Sequence, residues 1–400
     1  MLAVSRSIAI LFLFIVFKLS AQDSTRWLLQ AQFYLDNNNF SKALDYIDSI
    51  PNKNYYVHFV EGNVFYTQKD YKKAIAFYRL CNRQKKDFAY FQIAKTYASI
   101  HQPDSVLIAL RKHLKSPYKK QSNVIETEAV LDSFRASKYW GKLALETYYS
   151  PDERTLEQAI YYQKKGEVSL ALDIVDELIS NDKTNAEAYF NRAKFIVDFN
   201  EDYKYAISDL KQAIKIDNQK YEYFHLLAHY YFLQMKYKKS LLMYLSAHRL
   251  FPYSLKDYFY IARAYYRMGD YEKAIQYINK YTAVDNRNID ALLLAGQIYY
   301  DKGDNPSSIF FLTRAINLNA RRADVLVARG KSYLENDEYQ RAGRDFNIAL
   351  DLDTKNGEIW YLKGLAFLYQ ERRDEACKYF KKASYLNYYR ADEYLLKECQ

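Results

Sequence analysis

Gly296, Gly330 and Gly364 stand 34 residues apart, and Tyr265, Tyr299, Tyr333 and Phe367 keep the same step. So do Ala315, Ala349 and Ala383. A period of this length dictates a repeat architecture, because each unit is too small to bury its own hydrophobic face and must stack on the next. Each cycle holds two amphipathic patterns. In the cycle from Leu255, the residues Tyr258, Ile261, Ala262 and Tyr265 lie three and four apart and share one helix face. A break at Met268-Gly269-Asp270 follows, and then Tyr271, Ala274, Ile278 and Tyr281 form a second stripe. A glycine inside a helix costs about 1 kcal/mol relative to alanine. Its recurrence in register predicts close approach of two helices at Gly330 and Gly364. Ala206, Ala274, Ala342 and Ala376 suit the matching contact.

The last cycle reads Trp360, Lys363, Gly364, Phe367, Ala376, Phe380 and Ala383. The cycle from Tyr221 reads Phe224, Leu227, Ala228, Tyr231, Ser240, Tyr244, Ala247 and Pro252. This pattern resembles the tetratricopeptide repeat. The resemblance implies an all-α fold: a right-handed solenoid of helical hairpins with a concave groove, about ten repeats in two blocks. It implies no particular function.

Residues 1–21 read as a secretory signal. Arg6 gives a positive start, 8–17 is unbroken apolar, and Ala21 precedes the cut before Gln22. The alternative is a retained anchor, but the run ends at Lys18 and a spanning helix needs roughly 17–25 residues. Residues 22–118 hold about three divergent repeats, containing Trp27, Ala31 and Tyr34, then Gly62, Phe65 and Tyr78, then Ile93, Ala94 and Tyr97. The second helix of the third is expected to start at Pro103. The stretch 119–150 breaks the frame. It is read as two out-of-register helices near 124–134 and 138–149 that either join two arrays or continue one with a bend. Ser150-Pro151-Asp152-Glu153 restarts the pattern with a capping box. Seven repeats fill 151–390, and 391–400 begins a capping helix.

Composition narrows the partner. Residues 1–150 carry 21 Lys+Arg against 12 Asp+Glu, while 151–400 are nearly balanced, with 37 against 36. A basic surface attracts nucleic acid, anionic lipid or acidic protein, although solvation of the face accounts for it without a partner. Export argues against nucleic acid. The expected setting is a bacterial cell envelope, periplasmic or extracellular, with possible envelope association. No oligomeric state is read. Cys81 is expected to be buried. Cys377 and Cys399 fall on neighbouring helices, where an oxidising compartment would allow a bridge; they are read here as two free thiols.

The sequence holds no phosphate-cradling glycine loop, no nucleophile elbow and no H-E-x-x-H. His225 and His229 are four apart on a first helix, with Asp198 on the preceding repeat as a conceivable third ligand. Groove lining is the plainer reading, and no metal or cofactor is expected. In some members of the family, Lys, Asn and Arg residues on successive first helices clamp a carboxylate. That clamp is not reproduced, since Phe195, Leu226 and Tyr260 replace its members. The leading reading is an exported non-enzymatic scaffold that binds a protein or peptide. The rivals are a glycan-binding envelope accessory and a metal-dependent enzyme centred on the histidines. The inward columns that the resemblance implies select His225, His229, Phe232, Phe259, Arg263, Tyr266, Gln297, Tyr300 and Lys331. Tyr266 and Tyr300 stand out, because aromatics on this side are expected to have no packing role inside their own repeat.

Overall fold

The computed structural model describes residues 23–319 and 321–399; the expected secretory signal at 1–21 lies outside them. The described residues are helical, with no strand among them, and no helix is long and apolar enough to cross a membrane. Contacts divide the chain into two compact units, residues 1–235 with 246–254, and 236–245 with 255–400.

In the first unit the hairpins are α1 (23–36) with α2 (Phe40–Asp48), α3 (Tyr55–Thr67) with α4 (Tyr71–Gln84), and α5 (Tyr90–Ser99) with α6 (Pro103–Leu114). After a connector come α10 (Pro151–Lys164) with α11 (Val168–Asn181), α12 (Ala186–Asn200) with α13 (Tyr203–Ile216), and then α14 (Tyr221–Leu233). The helix α15 (Tyr237–Leu250) is divided between the units. The second unit holds α16 (Leu255–Arg267), α17 (Tyr271–Val284), α18 (Ile289–Lys302), α19 (Asn305–Leu318), α20 (Ala323–Leu334), α21 (Tyr339–Leu352), α22 (Gly357–Leu368), α23 (Arg373–Tyr385) and α24 (Arg390–Glu398). In α3/α4, α5/α6, α10/α11, α12/α13, α16/α17, α18/α19, α20/α21 and α22/α23 the first helix packs on its own second helix, and α17, α19 and α21 pack in turn on α18, α20 and α22. First helices of successive repeats also touch, as α16 and α18, α18 and α20, and α20 and α22 do. They therefore share one face of their unit, which is the arrangement of a helical-hairpin solenoid.

The glycine column is an interface. A Cβ added at Gly330 would run into the Phe346 ring, one at Gly364 into Phe380, one at Gly296 into Leu312 and one at Gly62 into Tyr78. The partner always lies sixteen residues on, across the hairpin. An aromatic pair closes the other end of four of the hairpins. Phe65 stacks on Phe77 (ring centroids 5.3 Å apart), Tyr265 on Tyr277 (5.7 Å) and Tyr299 on Phe311 (5.4 Å), and Phe367 meets Tyr379 at 4.9 Å. The turn between the two helices repeats as well. Gly269 and Gly303 take positive φ, and Met235, Asp337 and Glu371 adopt the same left-handed conformation at the same step without glycine's freedom.

The connector departs from the two helices expected of it. The first is broken into α7 (Ser122–Thr127), a 3-10 turn Ala129–Leu131 and α8 (Asp132–Arg135); the second is α9 (Lys138–Leu143) followed by a 3-10 turn Leu145–Tyr148. Arg135 explains the first break. Its Nη1 donates to the carbonyls of Ile125 (3.1 Å) and Glu128 (3.0 Å), replacing helix bonds. Ala144 at φ 49° causes the second. Leu131, Phe134 and Leu143 are buried here, and the Ser150–Glu153 capping box forms on schedule.

Two contacts lie outside any repeat logic. In the first unit the Tyr253 ring stacks on Tyr56 at 4.6 Å, and Asn54 Nδ2 donates to Tyr253 Oη at 2.9 Å across 199 residues of sequence. At the C-terminus the reading of two free thiols is wrong. Cys377 and Cys399 form a disulfide, with Cα atoms 5.6 Å apart. The C-terminal end of α24 packs beside α23, where Arg373 also pairs with Glu398 (3.1 Å). Cys81 is buried and free.

Candidate functional site

The face shared by first helices in the second unit holds a cleft of about 540 Å³. Tyr266 enters from α16, Gln297, Tyr300 and Asp301 from α18, Asp324 and Lys331 from α20, and Asp353 and Glu358 from the start of the last repeat. The glycine column makes room for it, since Gly296 and Leu312 form part of the floor. Beneath them Ser308 Oγ donates to the Gly296 carbonyl at 2.8 Å and lies 2.8 Å from Ser332 Oγ, so the buried hydroxyls are satisfied.

The cleft is acidic. Glu358 is paired with Lys331 (2.7 Å). Asp324 is paired with Arg322 (2.6 Å), which also reaches Asp290 (3.0 Å). The hydrogen bonds from Arg322 hold the Asp324 carboxyl below its ordinary range. Among the described residues Asp301 and Asp353 have no ion-pair partner. Asp301 accepts from Tyr266 Oη at 2.7 Å, and Asp353 from the Lys355 backbone N–H at 3.2 Å. Burial first, then that bond to Asp301, raises the Tyr266 phenol pKa and keeps it a donor. The Tyr300 phenol is raised as well, by burial and then by Glu335 and Asp301.

Of the nine sequence-selected residues, the cleft brings together Tyr266, Gln297, Tyr300 and Lys331. Phe259 and Arg263 also lie on α16 but not in it. Phe259 packs near Tyr281 (5.9 Å), and the Arg263 guanidinium rests against the rings of Phe259 (5.9 Å) and Tyr260 (5.5 Å). His225, His229 and Phe232 sit half-buried on α14 in the first unit, with His225 stacked on Tyr221 at 5.4 Å. Asp198 accepts from Gln163 Nε2 at 2.8 Å, and no three His, Cys, Asp or Glu side chains are grouped for a metal among the described residues. The expectation that Tyr266 lacks a packing role is wrong: its ring meets Tyr271 of its own second helix (6.2 Å). The sequence reading missed the carboxylates. Their signal was present, because Asp290, Asp324 and Glu358 keep the 34-residue step. Acidic residues in a first turn also suit the helix dipole, so the column passes for capping.

This fold and face define a protein of the helical-hairpin solenoid class. Residues 289–322 and 327–386 match the tetratricopeptide-repeat family, and 234–305 match a model described as anaphase-promoting complex, cyclosome, subunit 3. Tetratricopeptide repeats are thus matched within 289–386 of the chain. No curated protein matches it. Among solved structures it is similar to a tetratricopeptide repeat protein from Parabacteroides merdae, at 17% identity and TM-score 0.48, covering 62% of this chain and 99% of that one. It is also similar to the APC/C hetero-tetramer Cut9-Hcn1, at 16% identity and TM-score 0.49, covering 94% and 83%. A third is YrrB, described as a repeat protein with an unusual peptide-binding site, at 16% identity and TM-score 0.41, covering 49% and 97%.

Proposed function

We propose that the chain is an exported, non-enzymatic scaffold that binds a protein partner through the first-helix cleft of its second unit, and that the bound segment carries Lys or Arg. The observation behind this is the pair of carboxylates without an ion-pair partner among the described residues, Asp301 and Asp353, beside Tyr300. An extended segment crossing α18 and α20 would set its cations on these groups and its backbone against Gln297. Aromatic and charged side chains in one recess are the usual composition of an interface centre.

The test is a panel of labelled peptides that alternate Lys or Arg with apolar residues, read by fluorescence anisotropy against the full chain. The double variant D301K/D353K reverses two exposed or half-exposed charges and should weaken binding by roughly tenfold or more. Unchanged affinity would remove the cleft from consideration. Export is tested separately by intact mass of the protein from its own host. The expected chain begins at Gln22, and a retained Met1 in a cytoplasmic fraction would end that reading.

A further inference from the structure

A second cleft, of about 560 Å³, lies in the first unit between α4, α5 and α6. Two second helices wall it, whereas the cleft above is built chiefly of first helices. Its charge has one sign. Arg79 and Arg83 project from α4 and Lys112 from α6, all three exposed, and no carboxylate lines the recess. Among the described residues none of the three has an ion-pair partner. Phenols hold two of them in place. Arg79 Nη2 donates to Tyr97 Oη at 3.0 Å, and Lys112 Nζ donates to Tyr90 Oη at 3.3 Å and lies 5.0 Å from that ring's centroid. Asp104, at the start of α6, is engaged by Tyr139 Oη at 3.0 Å.

Asn82 adds an independent sign of a ligand. Its Oδ1 accepts from the Ala89 backbone N–H at 2.6 Å, which fixes the amide's orientation. Its Nδ2 is then buried with no acceptor. A buried donor left unsatisfied is destabilising, and an acceptor that reaches it through the cleft would remove that cost. The same recess exposes an apolar side chain, Ile108, at 59%.

We infer that this cleft is a second binding site, and that it takes an acidic peptide segment bearing an apolar side chain. Carboxylates meet Arg79, Arg83 and Lys112, a backbone carbonyl accepts from Asn82 Nδ2, and the apolar side chain covers Ile108. Other anions fit less of the site. A phosphate would use the cations and leave Ile108 in water. A sugar needs an open aromatic face, and Lys112 already stands against Tyr90. A flat anionic bilayer would meet the exposed cations but not the recessed Asn82. The excess of Lys and Arg in 1–150 would also speed the approach of an acidic partner.

The experiment uses the full chain and a labelled peptide that repeats Leu-Asp-Glu, read by fluorescence anisotropy at low salt. Binding should weaken as salt rises. In R79Q/R83Q it should fall by roughly tenfold, the loss of two partly exposed charge contacts. N82D keeps the acceptor for Ala89, removes the donor and adds a negative charge to the recess, so it should weaken the probe in a variant that circular dichroism shows to be folded. D301K/D353K should leave this probe's affinity as it was, which separates this site from the cleft of the second unit. The inference is overturned if R79Q/R83Q, shown to be folded by circular dichroism, binds the probe as tightly as the parent. Displacement of the probe by inorganic phosphate, or equally tight binding of phosphatidylglycerol vesicles lost in the same variant, would overturn it in favour of a simple anion or membrane surface.

Discussion

In the hairpins of 255–386 a small residue on the first helix faces a side chain sixteen residues on, and the pairing returns every 34 residues. In 119–150 no contact returns. Arg135 ties two carbonyls, Lys119 Nζ reaches the Tyr148 carbonyl (2.9 Å), Tyr149 Oη donates to the Lys120 carbonyl (2.6 Å), and Ser122 N–H donates to Glu157 (2.6 Å). Both stretches bury aromatic and aliphatic side chains. The array does it with one solution used repeatedly. The connector satisfies several of its backbone groups through individual side chains, each in a contact that does not recur along the chain. A repeated contact tolerates no change of shape, whereas a bespoke one is sensitive to the polar group that makes it.

The largest effect expected from that contrast is steric. Gly330→Leu drives a branched side chain into Phe346 and should cost about 3 kcal/mol or more. Chemical denaturation of the full chain measures it, and an unchanged midpoint would mean that the column is not an interface. The next effect is electrostatic and belongs to the edge of the connector. His113 is buried, and its Nε2 accepts from the Lys120 backbone N–H at 3.0 Å. Burial, and then the nearby Lys120 charge, lower its pKa to about 4, against an ordinary 6.5. The unfolded chain therefore binds the extra proton first as pH falls. This contribution is intact above pH 6.5 and shrinks toward pH 4, by up to about 3 kcal/mol. His113→Gln should flatten that part of the stability–pH curve, as read from urea midpoints; an identical slope would assign the acid sensitivity elsewhere. The smallest effect has the opposite sign. Gly141 lies in α9, where an added Cβ meets nothing within 4 Å. Gly141→Ala should stabilise by about 0.5–1 kcal/mol, because here glycine contributes only chain entropy. Destabilisation would show that the connector, too, depends on a glycine contact.

The same contrast explains what could be read in advance. The hairpins, the glycine interface, the Pro103 start and the Ser150 cap were legible because each rests on residues at fixed spacing. The break at Arg135 was not, since nothing in the spacing of an arginine tells which carbonyls it will reach. Nor was the meeting of Asn54 and Tyr56 with Tyr253, because a period describes neighbours and Asn54 and Tyr253 are 199 residues apart along the chain. The candidate clefts fall between these cases. Tyr266 and Tyr300 stood out by position on the first helix. The acidic column at Asp290, Asp324 and Glu358 keeps the repeat spacing, but first-turn carboxylates suit the helix dipole whether or not they line a cleft. The cationic recess draws on α4, α5 and α6 together and becomes apparent only when they are packed.

The bond between Cys377 and Cys399 has a mechanical consequence. An array held by neighbour contacts alone loses structure most readily where a neighbour is missing, at its ends. Here the final helix is stapled across a 22-residue separation to the one before it. Peeling that reaches α24 meets a covalent stop at Cys399. While the bond is oxidised, unravelling of this unit acquires a direction, and a thiol reductant would abolish it.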